Sequence, residues 1–298
     1  MDNLMGKTIL VTGGTGFLGS HLVKRIVKDH LNVIVVKRSS SKLFRLGSIV
    51  DKIRFYDLDQ IDIEDIFQEN VIDIIIHCAT NYGRFAVPPT DIIQANLFLP
   101  LKILQIAENH QVKTFINTDT ILDKRVNYYS LSKKHFLDWL SLFSQKMVCI
   151  NVALEHFYGP FDDRSKFVSK IILDLLHEVD FLDLTLGEQK RDFIYIDDVV
   201  EAFIKLIQFS FDVPNNLYRY EIGTGKNIEI REFVQMVKTM TENKVTRLNF
   251  GMLPYRENEI MESHVDISML LKLGWQPQIS LVEGLKYTID QERSSINQ

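Results

Sequence analysis

Cysteine is scarce in this sequence: of 298 residues only Cys78 and Cys149 carry a thiol. Each sits in a β-like run, Ile74-Ile75-Ile76-His77-Cys78 and Met147-Val148-Cys149-Ile150, a placement suited to buried free thiols in a reducing compartment. Their separation fits neither a CxxC redox pair nor a zinc site. His77, His135, His156 and His264 lack the i, i+4 spacing with acidic neighbours that assembles a metal site, so no metal is expected. Long apolar runs are missing too, and no stretch approaches the ~20 residues of a membrane-spanning helix. The first apolar run, Thr8-Ile9-Leu10-Val11, enters a glycine turn directly and leaves no room for a secretory leader, which predicts a cytoplasmic protein. There is no basic excess: 34 Lys and Arg stand against 39 Asp and Glu, a net charge of -5. Neither nucleic acid nor an anionic membrane is therefore an expected partner, although a local basic pocket for a small anion is compatible with that balance. No repeat, low-complexity segment or Gly/Ser-rich linker divides the chain, so its parts are expected to pack together rather than to be tethered.

What is present is ordinary globular composition, 46% hydrophobic and 24% charged, arranged as short β-branched runs alternating with longer amphipathic stretches. Strands are expected at 8–11, 32–36, 72–77, 113–117 and 147–152, with helices at about 17–29, 61–69, 91–110 and 129–145. This is the rhythm of repeated βαβ units and predicts an α/β fold, a doubly wound parallel sheet of Rossmann type. After Tyr158-Gly159-Pro160 the alternation breaks into helices (about 166–178, 197–209 and 229–242) mixed with short strands. A smaller, interleaved C-terminal substrate domain is expected, with residues 1–156 and 187–219 binding the cofactor and residues 157–186 and 220–298 binding the substrate.

The turn Thr12-Gly13-Gly14-Thr15-Gly16-Phe17-Leu18-Gly19 follows the first strand and opens the first helix. Gly13, Gly16 and Gly19 allow a tight turn and a close backbone approach to a pyrophosphate, whose charge rests on the helix N-terminus. Thr15, Phe17 and Leu18 share that cradle. The second strand ends Val36-Lys37-Arg38-Ser39, where an NAD-selective site carries an acid for the ribose 2′-hydroxyl and a 2′-phosphate needs basic or small polar groups. Lys37, Arg38 and Ser39 therefore point to NADP(H), or form a solvated basic loop. Asp57, followed by Leu58, either faces the adenine or starts a turn. Ile222-Gly223-Thr224-Gly225-Lys226 lacks the first glycine and the final Ser/Thr of a P-loop and reads as a turn before a helix.

Tyr129-Ser130-Leu131-Ser132-Lys133 places a phenol and an ammonium four residues apart at a helix start, on one face. A free tyrosine has a pKa near ~10, and an adjacent ammonium favours phenolate, bringing the group toward a working range. Tyr128 lacks such a partner, since position 132 is Ser. Thr118 stands at the C-terminal end of strand 113–117, where open α/β sheets hold their ligands, and could hydrogen-bond a substrate carbonyl.

Together with Ile76-His77-Cys78-Ala79-Thr80, Asn96, His156-Phe157-Tyr158-Gly159-Pro160, Arg191-Asp192-Phe193 and Leu273-Gly274-Trp275-Gln276-Pro277, these motifs resemble the extended short-chain dehydrogenase/reductase family over almost the whole chain. That family holds the nucleotide-sugar epimerases, dehydratases and reductases. Local strings such as Ala79-Thr80-Asn81-Tyr82-Gly83, Asn117-Thr118-Asp119 and Arg256-Glu257-Asn258-Glu259 resemble its reductases of CDP-linked 4-keto-3,6-dideoxyhexoses. The resemblance implies that Thr118 orients the sugar carbonyl, Tyr129 donates a proton, Lys133 lowers the phenol's pKa and holds the nicotinamide ribose, and Asn96 assists. It implies cofactor contacts at Ala79 and Thr80 and substrate contacts at Asn81, Tyr82, Asp119, His156, Phe167, Ile171, Arg191, Arg256 and Glu259. The implied substrate is a CDP- or dTDP-linked keto-sugar, for deoxysugar units of a lipopolysaccharide O-antigen or capsule.

Alternatives stay open at several of these positions. Arg191 is either a diphosphate clamp or an ion-pair partner of Asp192 or Asp198, and Arg256 likewise of Glu257 or Glu259. His156 stands where the family has a diphosphate-binding Asn, and Ala153 replaces an Arg upstream; His156 is either ligand or packing. Thr120 replaces the Glu of the dehydratases' Thr-Asp-Glu triplet, which disfavours elimination. The rivals to a reductase are an epimerase or dehydratase with tightly bound NAD and a non-catalytic NADP sensor. A homodimer is implied by the resemblance, through helices 91–110 and 129–145, where Leu97, Leu101 and Leu104 are either interface or core.

Overall fold

The computed structural model describes residues 4–257 and 259–296. In chain order it forms β1 (Thr8–Thr12), α1 (Phe17–Lys28), β2 (Asn32–Lys37), β3 (Arg54–Asp57), α2 (Ile63–Glu69), β4 (Ile74–His77), α3 (Pro89–Ile93), a π-helical turn (Gln94–Phe98), α4 (Leu99–Asn109), β5 (Thr114–Thr120), α5 (Tyr128–Phe143) and β6 (Val148–Leu154). The remainder is β7 (His156–Tyr158), α6 (Phe167–Leu176), β8 (Phe181–Leu184), β9 (Lys190–Tyr195), α7 (Ile196–Phe209), β10 (Leu217–Ile222), β11 (Asn227–Glu229), α8 (Ile230–Met240), β12 (Arg247–Phe250), α9 (Ser268–Lys272) and α10 (Leu281–Ile296). Two compact units result: residues 1–154 with 200–221, and residues 155–199 with 222–298.

The first unit is built on a seven-stranded sheet in the order β10-β6-β5-β4-β1-β2-β3, the doubly wound arrangement expected. Every residue of β4 and β5 is buried, as unbroken apolar runs require when helices cover both faces of a parallel sheet. Leu10, Ile75, Phe115, Ile103, Leu104, Phe136 and Leu140 form the centre of its core. β5 runs to Thr120, three residues past the expected end, because it pairs with β6 from Thr114↔Val148 to Thr120↔Leu154. β3 was not among the expected strands; four residues at a sheet edge carry little pattern.

The single helix expected over 91–110 is three pieces. Pro100 has no N–H to return to the carbonyl of residue 96, and its ring would clash there, so the helix widens into a π turn just before it. That turn contains Asn96, which is 1% exposed.

In the second unit β9 pairs in parallel with β7 and antiparallel with β11, while β8 and β12 form a separate parallel pair. Residues 187–199, expected in the cofactor-binding portion, belong here because β9 hydrogen-bonds to β7 and β11 and not to the seven-stranded sheet. Phe193 stacks on Phe233 at 4.2 Å between ring centroids, with Phe167 beside both. The buried Trp275 donates through Nε1 to the carbonyl of Asp198 (3.1 Å), whose carboxylate accepts from the N–H groups of Gln278 and Ile279. The Gly223–Lys226 stretch is the expected turn: the buried Asp192 carboxylate accepts from Thr224 N, Thr224 Oγ1 and Gly225 N at 2.6–3.0 Å. Among the described residues, no helix is long and apolar enough to cross a membrane, and no cluster of His, Cys, Asp or Glu could hold a metal ion.

Candidate active site

The glycine turn is dictated by its own packing, most severely at two positions. Gly13 has φ +67°, and a Cβ there would lie 2.6 Å from the backbone nitrogen of Ala79; a Cβ on Gly19 would lie 2.2 Å from the carbonyl oxygen of Gly13. Only glycine fits either place. A Cβ on Gly16 would lie 3.1 Å from the carbonyl oxygen of Gly13, a tight contact though a less severe one. Gly16 is the N-cap of α1, a 12-residue helix whose first N–H groups receive no side-chain cap. A glycine-rich turn leading into a helix N-terminus fits a pyrophosphate, with Thr15 in the turn and Phe17 and Leu18 in the first turn of α1.

At the end of β2 the three expected 2′-phosphate groups divide. Lys37 is ion-paired with Asp57, and Ser39 hydrogen-bonds to Asp59 through its N–H (2.7 Å) and its hydroxyl. The Ser39 bonds hold the Asp59 carboxyl down at about 2. Only the exposed Arg38 guanidinium has no partner among the described residues. Asp57 is therefore a counter-ion to Lys37, and Leu58 N bonds to the Lys37 carbonyl at 2.8 Å.

The loop after β4 is fixed by Asn96, which spends both ends of its amide. Oδ1 accepts from Asn81 N (2.7 Å) and Thr80 Oγ1 (3.2 Å), while Nδ2 donates to Asn81 O (2.8 Å) and Ser132 Oγ (2.9 Å). Ser132 in turn donates to the carbonyl of Tyr129 (2.7 Å). The expected assistant is thus a positioning residue that ties the Ala79–Gly83 loop to α5. Replacing Asn96 with Ala should cost about 2 kcal/mol of stability and lower kcat more than it raises KM; denaturant unfolding with steady-state kinetics checks this, and unchanged stability would remove the clamp role.

α5 begins where the chemistry needs it. Asn127 and Ser130 form a reciprocal capping box, with Asn127 Oδ1 accepting from Ser130 N at 2.9 Å. Tyr129 then lies in the first turn and Lys133 one turn on. Tyr129 is half-buried and packs on Tyr82, 5.1 Å between centroids, with Arg84 over the far ring at 5.0 Å. Burial pushes the phenol well above its ordinary range, with Tyr82 and Asp119 adding to the rise; a hydrogen bond with Thr120 and the charge of Arg84 oppose it. The phenol is therefore protonated at neutral pH. Lys133 follows one helical turn further on. Lys133, 1% exposed, gives a hydrogen bond to the Thr118 carbonyl at 2.9 Å.

Burial also draws the Lys133 ammonium down to about 8, against the pull of Asp119 and Cys78. Between that value and 10.5 the unfolded chain binds more protons than the folded one, so stability rises with pH across the window. Relative to Lys133→Met, the wild-type chain should gain on the order of 3 kcal/mol from pH 7.5 to pH 10.5 in urea unfolding. Parallel curves for the two proteins would mean that the ammonium is solvated.

Two strand-end residues behave differently from expectation. The Thr118 hydroxyl donates to the carbonyl of His77 at 2.9 Å and is buried, whereas Thr120, on the same strand face, is the threonine that lowers the pKa of the Tyr129 phenol. Strand alternation was the signal that could have found it. Asp119, on the opposite face, is committed to protein partners: Oδ1 accepts from Lys124 Nζ (2.6 Å) and Thr120 N (2.8 Å), Oδ2 from Asn151 Nδ2 (3.0 Å). The substrate contact that the resemblance implies for Asp119 would be made alongside these bonds. Cys78 is inert, with burial pushing its thiol up to about 12.

In the second unit Arg191 is 9% exposed and ion-pairs with Glu259, not with Asp192 or Asp198. Burial draws its guanidinium down, with Glu259 and Glu155 opposing. Glu259 is therefore engaged by a protein cation. The side chain of Arg256 is exposed and has no partner among the described residues. His156 rests edge-on against Phe193 at 5.7 Å, with Nδ1 paired to the buried Glu155, a partner that sequence reasoning missed. Phe167 is half-buried, and Ile171, at 3% exposure, is core.

Fold and site together define a class. The chain belongs to the NAD dependent epimerase/dehydratase family, whose model matches residues 9–223. It is 35% identical over 292 residues to the CDP-abequose synthase of Salmonella muenchen, a match covering 95% of this chain and 97% of that protein. The CDP-abequose synthase of Salmonella typhimurium is 32% identical, with 93% and 96% covered. Among solved structures, the UDP-glucose 4-epimerase of Thermotoga maritima with UDP-glucose aligns with a TM-score of 0.85 at 25% identity, covering 97% of this chain and 99% of that one.

Proposed function

We propose that this protein is an NADPH-dependent reductase of the C4 keto group of a nucleotide-linked 4-keto-6-deoxy or 3,6-dideoxy hexose, CDP- or dTDP-linked, serving deoxysugar synthesis for a surface polysaccharide. One observation carries the reading: the site sets the protonated phenol of Tyr129 in the first turn of α5, with no acid at position 120 and with Asp119 accepting at both oxygens. That arrangement suits protonation of one alkoxide and lacks the acid pair that elimination of water requires. The match to two CDP-abequose synthases supports a CDP-sugar.

The residues present fit a dinucleotide: the turn at Gly13, Gly16 and Gly19 and the first N–H groups of α1 would hold its pyrophosphate, Arg38 a 2′-phosphate, Ala79 and Thr80 its flank, and Lys133 the nicotinamide ribose. When bound, the reduced nicotinamide supplies hydride to C4. Tyr129 gives its proton to the oxygen that becomes negative, and the Thr120 hydroxyl and Arg84 stabilise the phenolate left behind.

A specific observation favours a second reading, an epimerase with NAD: the Asp57 and Asp59 carboxylates stand beside Lys37 and Ser39, where an acid can receive a ribose hydroxyl. Incubation with NADPH and prepared CDP- and dTDP-4-keto-6-deoxysugars, followed at the reduced-nicotinamide absorbance, decides between them. Loss of absorbance with one sugar supports the reductase; NAD that co-purifies while the sugar isomerises without net oxidation overturns it.

A homodimer accompanies this reading. Tyr128, Leu131, Trp139 and Leu142 form an exposed apolar stripe along α5, with Phe98 exposed on the preceding π turn, whereas Leu104 is core. Trp139→Glu should yield a monomer by sedimentation equilibrium with the fold retained; a wild-type monomer overturns the assignment.

A further inference from the structure

A polar row crosses four strands of the seven-stranded sheet. Thr12, His77, Asn117 and Asn151 pair in succession across β1, β4, β5 and β6, so their side chains share one face, and none is more than 4% exposed. The hydrogen bonds at the two ends of this row run in one direction. The Thr12 hydroxyl accepts from Ala79 N (3.3 Å) and lies 2.8 Å from His77 Nδ1. Its proton has no other acceptor among the described residues, so it goes to Nδ1 and leaves the imidazole's own proton on Nε2. At the far end the Asp119 carboxylate, ion-paired with Lys124, only accepts. Asn151 therefore turns Nδ2 toward it (3.0 Å) and Oδ1 toward Asn117 Nδ2 (2.7 Å), which leaves Asn117 with Oδ1 to offer. His77 Nε2 and Asn117 Oδ1 are both buried without a partner among the described residues: a donor and an acceptor at neighbouring steps of the row. Thr114 Oγ1, likewise unpartnered, is on the opposite face of β5.

Left unmatched, each of these atoms would bear the full cost of desolvation. The Nδ1 bond draws the imidazole toward Thr12, and the Nδ2 bond draws the Asn117 amide toward Asn151, so the step between them is not closed directly. Two bonds of about 2.8 Å meeting at one water span it at the strand spacing of about 4.8 Å. The rings of Phe115 and Phe136, 6.2 and 6.1 Å from the imidazole centroid, wall the place with apolar surface and offer no rival acceptor. We propose that one buried water accepts from His77 Nε2–H and donates to Asn117 Oδ1, a binding site for a single water that completes a one-way hydrogen-bond chain from the Ala79 N–H to the Asp119 carboxylate. Such waters are integral parts of a fold when they satisfy buried polar groups. Burial, with the charge of Lys133 adding to it, holds the imidazole well below the usual histidine range, which keeps Nδ1 an acceptor. The water joins the strand end beside the glycine turn to the strand end that carries Asp119, and neither its site nor its test depends on the reaction proposed above.

The test uses the full chain with its eight histidines ¹⁵N-labelled, the His77 signal being the one lost in His77→Gln. A long-range ¹H–¹⁵N correlation at neutral pH should show a proton bonded to Nε2 and none to Nδ1. That Nε2–H should give a rotating-frame Overhauser peak to a long-lived water, and Asn117→Leu, which removes the acceptor at similar size, should abolish the peak. A crystal structure of the wild-type chain should show one water within hydrogen-bonding reach of both atoms, which decides the matter even if Asn117→Leu fails to fold. A proton on Nδ1 or on both nitrogens, a water peak that Asn117→Leu leaves in place, or a direct bond between Nε2 and Oδ1 in the crystal overturns the proposal.

Discussion

Replacing Tyr129 with Phe should reduce the turnover of NADPH against the keto-sugar by about 10²- to 10⁴-fold, the usual range for loss of a positioned general acid. Binding of cofactor and sugar should survive, since the ring and its packing on Tyr82 remain. The substitution removes only the hydroxyl, whose neighbours are Thr120 and, through their charges, Asp119 and Arg84. No second acid stands by to substitute: Thr118 spends its proton on His77 and Asp119 is an acceptor. Stopped-flow single turnovers separate hydride transfer from product release. Retention of more than about a tenth of the wild-type rate would mean that water or another group protonates the alkoxide.

Removing the free guanidinium at the end of β2 should have the second largest effect. Arg38→Ala is expected to weaken NADPH about 10- to 100-fold, as loss of charge-assisted bonds to a phosphate does, while NADH affinity stays constant. Lys37→Ala should matter less, because that ammonium already has Asp57 as its partner. Calorimetric titration of both cofactors gives the answer. An equal loss for NADH and NADPH would place Arg38 at a phosphate they share, and no loss for either would leave it as a solvated surface group.

The doubly wound sheet was legible because its evidence is periodic: unbroken apolar runs for β1, β4 and β5, amphipathic stretches between them, and a glycine turn whose Gly13 and Gly19 are enforced by backbone contacts. Tyr129 and Lys133 were legible for the same reason, as a fixed spacing on a helix whose start is capped. What sequence spacing could not convey is who partners whom. It set Lys133 on the helix face of Tyr129 without showing that its ammonium donates to the Thr118 carbonyl. It offered Arg191 two neighbouring acids, and the fold supplied Glu259 from 68 residues away. It gave the 2′-phosphate three side chains, two of which the acids after β3 had already engaged. Pairings of that kind depend on loop paths, which carry no period.

The π turn at Gln94–Phe98 has one implication for how this chain can vary. A helix advances about 100° and 1.5 Å per residue, so the wide turn acts as a phase correction between α3 and α4. Shortening it by one residue would keep every side chain of the reacting site in the sequence, yet swing Asn96 a quarter-turn or more away from Asn81 and Ser132. Residue count in this helix thus matters to the site independently of residue identity. Substitutions along its outer face should be freely sampled, while single-residue insertions and deletions there should be absent from any active descendant.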